Sequence, residues 1–108
     1  MTAIELIHKE RAEQLAKHGR TLRKDKELNA SGQLAEAATK LLYPDGTQVP
    51  EPPAGWAVNI WKNMCAKPKR ERMIIAGALL LAEEDRLGRP GAFRHSIKTL
   101  CDEIDNPY

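Results

Sequence analysis

The sequence predicts an all-α fold: one small helical domain of about four helices with a long Pro-rich loop. Three observations predict it. Apolar residues recur at helical spacing in several separate stretches, no stretch shows the strict alternation of a half-buried strand, and the periodic stretches are bounded by helix start and stop residues. The chain has 108 residues, and a chain of this size buries roughly two thirds of the surface its unfolded form exposes. One domain is therefore expected over 1–108, with its core in about 2–88 and a C-terminal amphipathic helix at about 91–104.

The first helix is expected over about 2–18. Thr2 and Glu5 form a T-x-x-E capping box, Ile4, Ile7, Ala12 and Leu15 lie close to one face, and Gly19 is the stop. Residues 20–30 are charged and poorly periodic and read as a loop. A second helix fits about 32–43, with Ser31 as its cap, Leu34, Ala35, Ala38, Leu41 and Leu42 as its apolar stripe, and Pro44 as its end. Residues 43–56 hold four prolines and two glycines and form a connection, with a turn at Pro44-Asp45-Gly46. Residues 56–66 carry both tryptophans and fit either a short helix or an extended segment.

The clearest helix spans about 68–87, from Pro68 to a close at Gly88 and Pro90. Its middle, Met73 to Ala82, is apolar on every face, which predicts a central helix flanked by other helices or by a partner chain. Gly77 inside it costs about 1 kcal/mol against Ala, and the expected return is a close helix–helix approach. The last helix, about 91–104, places Phe93, Ile97, Leu100, Cys101 and Ile104 on one stripe. An all-round apolar helix plus an appended amphipathic one exceeds what four short helices easily cover, so a homo-oligomer is expected.

Composition narrows the function. Seventeen basic and fifteen acidic residues give a net charge of +2, too balanced for a whole-molecule nucleic-acid binder. The longest apolar run is about half of the roughly twenty residues a membrane span needs, so no membrane is expected. MTAIELIHKE lacks the basic and apolar regions of a secretory leader. With Cys65 and Cys101 read as reduced thiols, the expected location is cytoplasmic, the host cytoplasm if the protein is viral. Those cysteines and His8, His18 and His95 make no metal-ligand spacing. There is no nucleophile elbow, Walker loop or dinucleotide fingerprint. A non-enzyme without metal or cofactor is expected.

Two clusters carry the candidate chemistry. Lys62, Lys67, Lys69, Arg70 and Arg72 are five cations within residues 62–72, opposed only by Glu71. Cations at a helix N-terminus oppose its dipole, so they suit either a solvated turn or a site where an anion gains from backbone N–H groups and side chains together. Just upstream, Trp56 and Trp61 are two of the chain's five aromatics. Beside those cations they suit either a core plug under the loop or a stacking platform for a base. Arg20, Arg23, Lys24 and Asp25 form either a second solvated turn or the facing wall of the same pocket.

The acidic residues offer a rival reading. Glu10 and Glu13 form one ExxE on the first helix, similar to the magnesium-holding element of MazG-like nucleotide pyrophosphohydrolases, which are all-α. The second carboxylate element is missing at its expected place, and Asp102 and Asp105 sit in a terminal segment.

The order of features also resembles a known family. A helix leads to Gly19-Arg20-Thr21 and Lys24-Asp25, then to GQLAEAA over 32–38, a Trp-bearing Pro-rich loop with Trp61-Lys62, and KPKRER over 67–72 leading into Ala76-Gly77-Ala78-Leu79 and Ala82-Glu83. Over about residues 8–87 this resembles a family of small helical proteins of phages and prophages. Its members show a G-W-T turn, a G-E-L-A-x-A-A helix, a tryptophan-rich loop and a basic stretch before A-G-A-L-x-x-A-E. Here Arg20 replaces the tryptophan of the turn and Gln33 the acid. The same order is distantly similar to RyR-repeat domains, whose bacterial relatives are linked to sensing nucleotide signals.

The resulting expectation is a non-catalytic phage or prophage accessory protein. It binds a nucleotide-like anionic ligand, such as a host immune signal whose sequestration is anti-defence. Trp56 and Trp61 would stack, Lys62, Lys67, Arg70 and Arg72 would neutralise phosphate, and Arg20, Arg23 and Asp25 would face them. The alternative partner is a host defence protein, bound and inhibited through the apolar helices.

Overall fold

A computed structural model describes residues 1–17, 29 and 31–106. Among these it contains five helices and no strand: α1 (Ala3–Lys17), α2 (Gln33–Leu41), α3 (Val58–Cys65), α4 (Lys69–Leu87) and α5 (Arg94–Asp105). The Cα radius of gyration is 13.1 Å, close to that of a compact chain of about 100 residues.

The helix ends follow from local chemistry. Thr2 and Glu5 make the expected box: the Glu5 N–H donates to Thr2 Oγ1, and the Thr2 N–H and hydroxyl donate to Glu5 Oε1. At α2 the cap is not Ser31. Gly32 takes that position at φ 83°, with no side-chain cap bond, while Gln33 Oε1 accepts the Ser31 N–H. Pro68 stands just ahead of α4, and Gly88 ends it in the left-handed region at φ 65°. The Arg89 N–H reaches Glu84 O at 3.0 Å and the Gly88 N–H reaches Asp85 O at 3.2 Å, a Schellman closure. Of residues 56–66, which fit either a short helix or an extended segment, 58–65 form α3, with Trp61 and Cys65 on one buried face.

α4 is the central rod. Arg72, Met73, Ile75, Ala76, Gly77, Ala78, Leu79 and Leu80 are all buried in its first three turns. They are covered within the chain by α1, α2 and α5, all of which pack on α4. The apolar surface that suggested an oligomer is thus covered by the chain itself, and that ground for expecting further subunits is removed. Gly77 meets α1, where Ile7 is fully buried. Asp105 Oδ1 accepts the Ala3 N–H at 3.0 Å, tying the start of α1 to the end of α5.

The buried face of α1 differs from the apolar stripe expected. Ala3, Ile7, Arg11 and Gln14 point inward, whereas Ile4 and Leu15 are 40% and 42% exposed. Of the two polar residues that point inward, Arg11 reaches across to Asp85 on α4, its Nη2 donating to Oδ2 at 3.2 Å.

Candidate functional site

The turn from α3 into α4 is tight: Ala66 ends the first helix and Pro68 precedes the second. This corner holds Lys62, Lys67, Lys69 and Arg70, all exposed, with Glu71 the one acid beside them. None of the four cations forms an ion pair among the described residues. The patch therefore exists as the spacing suggested, carried by four of the five cations and not by all.

Arg72 is the exception and its proposed ligand role is corrected. It is 1% exposed. Its Nε donates to Lys67 O, its Nη1 to Leu41 O and Tyr43 O, each at 3.0 Å, and its Nη2 to the Asp45 carboxylate. The guanidinium carbon lies 4.3 Å from the Tyr43 ring centroid. Two of these acceptors are carbonyls at and just beyond the end of α2, groups a helix leaves unsatisfied. Arg72 is thus an internal cap for α2 and a tie to the Pro-rich connection.

Trp61 is corrected likewise. It is 1% exposed, and its indole N–H donates to Pro50 O at 2.8 Å. A base has no access to that ring. Trp56 packs edge-on to it with centroids 6.0 Å apart and is half-buried. The Trp56 indole N–H donates to Asn29 Oδ1 at 2.9 Å, and Asn29 is itself buried. The indoles therefore fasten the Pro-rich connection to the core and form no open platform. Arg20, Arg23 and Asp25 lie outside the described residues.

A cleft of about 510 Å³ opens between α2, α4 and α5. Met73, Ala76 and Leu80 form its floor, Ala35, Ala38 and Thr39 one wall, and Thr99 and Leu100 the other, with Lys69 at one end. Sequence reasoning missed it. The available signal was the run of small side chains, Ala35, Ala38 and Ala76, facing one another across two helices.

The carboxylates are mostly engaged in structure. Glu83 is buried and paired with Arg86, Glu84 Oε2 accepts the Phe93 N–H at the start of α5, and Asp102 pairs with Lys98 at 3.1 Å. Among the described residues no three His, Cys, Asp or Glu side chains converge as a metal site would require. Cys65 is buried and Cys101 half-buried, both free. Burial pushes the Cys65 thiol up against a smaller opposing effect of the Arg72 charge. Burial, then Asp105 and Asp102, push Cys101 up. Among the described residues no helix is long and apolar enough to cross a membrane.

Comparison of the chain with protein-family models, with curated proteins and with solved structures returns no match.

Proposed function

We propose that this protein is a non-catalytic binding module for a nucleotide-like anionic ligand, held at the α3–α4 corner by Lys62, Lys67, Lys69 and Arg70. One observation carries the reading: four exposed cations from two consecutive helices and their joint stand together without an acidic partner among the described residues. Unopposed like charges repel one another and the helix dipole, and a bound phosphate relieves both. The resemblance to phage and prophage proteins supports a host signalling nucleotide as ligand, sequestered to blunt a defence response.

Calorimetric titration against a panel of nucleotides and cyclic dinucleotides tests this. At about 100 µM protein, ligands held by about 5–6 kcal/mol register. Heat with a member of the panel, weakened at least about tenfold in Lys67→Glu/Arg70→Glu, supports the reading. Absence of heat with every member removes it.

A second reading rests on a different observation. Val58 and Ile60 on α3 are 53% and 58% exposed, next to Lys62. A host defence protein with an acidic, apolar surface would fit this mixed face. Loss of binding to a purified candidate in Val58→Asp/Ile60→Asp, with the Lys67→Glu/Arg70→Glu response of nucleotides absent, would favour it.

A further inference from the structure

α2 and α5 both pack on α4, without close packing on each other. Between them runs a strip of α4 made of Lys69, Met73, Ala76 and Leu80, at i, i+4, i+7 and i+11, one face of the rod at the bottom of a cleft, with Met73 and Leu80 each 7% exposed and Ala76 fully buried. The cleft over this strip has about 510 Å³, within the range of small-molecule sites. Its floor is apolar, and its rim carries the hydroxyls of Thr39, Ser96 and Thr99 together with His95 and Glu103. Thr39 Oγ1 donates to Ala35 O at 3.1 Å and Thr99 Oγ1 to His95 O at 3.0 Å.

Those two bonds decide what the two threonines offer. A hydroxyl has one proton and two lone pairs. With both protons given to carbonyls of their own helices, the two oxygens present lone pairs only. A ligand that brings N–H donors to these two oxygens and a flat apolar body to the floor matches them, and the Glu103 side chain on the same lining adds a further acceptor. Lys69 adds the charge: it closes one end of the slot and belongs to the same exposed corner as Lys67 and Arg70. An alkyl-chain anion would satisfy the floor and the cation and leave Thr39 and Thr99 without donors.

We infer that the cleft between α2, α4 and α5 takes the base of the nucleotide-like ligand, an amino-bearing heteroaromatic ring, with its phosphate on Lys69 at the edge of the cationic corner. This rests on the anion-binding reading above and moves the base from the indoles, which are fastened into the fold, to a slot on the far side of the corner. Thr39 and Thr99 accept from the ring's N–H groups, and Lys69 serves both halves of the ligand.

The test uses AMP and inorganic pyrophosphate as probes on the full chain. Thr39→Val/Thr99→Val keeps side-chain shape and removes the acceptors. AMP should bind at least about tenfold more weakly to this variant while pyrophosphate binding is unchanged, and Lys69→Ala should weaken both probes. On the unaltered chain, AMP should shift the backbone amide resonances of Ala35, Ala38 and Ala76, a readout that no variant's folding can confuse. Equal AMP binding by the valine variant, with shifts confined to residues 62–70, overturns the cleft and leaves the anion reading standing. Failure of both probes to bind overturns the anion reading and the cleft with it.

Discussion

Ile7 of α1 lies so close to Gly77 of α4 that a Cβ on Gly77 would stand 2.6 Å from Ile7 Cδ1, 2.9 Å from Cγ1 and 3.1 Å from Cγ2. The helix breaker in the middle of the central rod is there because the neighbouring helix occupies the space of its missing side chain. Three atoms of one side chain crowd the position, so no single rotation of Ile7 clears it.

Gly77→Ala sets two effects against each other. Alanine gains about 1 kcal/mol of helix propensity, while overpacking a full core costs about 1–3 kcal/mol. The expected outcome is a net loss of about 1 kcal/mol in urea unfolding. Ile7→Val/Gly77→Ala should be more stable than the sum of its single variants, since the two residues share one volume.

Arg70 and Arg72 are near neighbours with opposite expected behaviour. Arg72→Ala strands the carbonyls of Leu41 and Tyr43, while Asp45, its side chain 71% exposed, returns to water, so a loss of about 2–3 kcal/mol is expected. Arg72→Lys keeps the charge and loses the fork that reaches several acceptors at once, and should recover only part of it. Arg70→Ala changes an exposed cation and should stay within about 0.5 kcal/mol of the parent. Thermal melts of the three variants check this, and a melt of Arg72→Ala matching that of Arg70→Ala would contradict the internal-cap role.

The reading of the sequence succeeded where local rules decide and failed where partners across the fold do. The Thr2–Glu5 box, the Gly88 stop and the apolar body of α4 depend on neighbours in sequence. Arg72 is indistinguishable by charge from Arg70 one turn edge away. Its placement became visible only as the head of the α2-facing stripe with Ala76, Leu79 and Glu83, and a charge tally hides that. Trp61 was misplaced for a related reason: a proline-rich connection looks peripheral, yet with so few aromatics in the chain its indole fills the interior under that connection. Arg11 escaped notice because an apolar pattern search passes over an arginine whose partner, Asp85, lies on another helix. The cationic corner itself was legible, since Pro68 and the spacing of its lysines fix it locally.

The indoles give a direct optical check. Trp61, 1% exposed, should be shielded from acrylamide in the native state, while half-buried Trp56 is quenched, so the quenching plot should curve downward. Trp61→Phe loses the bond to Pro50 O and ring volume beneath the connection, and a loss of about 1–3 kcal/mol is expected. The remaining Trp56 should then quench along a straight line. Equal quenching of both indoles would put Trp61 at the surface and revive a stacking role for it.

The thiols make the last prediction. Both cysteines are held above the ordinary thiol value of 9.0, in each case first by burial. A group whose folded value is raised favours the folded state while it stays protonated. Its contribution is complete below the unfolded thiol value and is lost as pH rises through the folded one. Stability should therefore be flat on this account at neutral pH and fall above about pH 9, and Cys65→Ala/Cys101→Ala should reduce that alkaline slope while leaving the acid limb unchanged. Thiolate is the reactive form, so an aromatic disulfide reagent at pH 8 should label half-buried Cys101 before buried Cys65, and both at one rate in denaturing urea. Rapid labelling of Cys65 in the native protein would mean that α3 opens from the core far more readily than its bonds to Tyr43 and Pro50 allow.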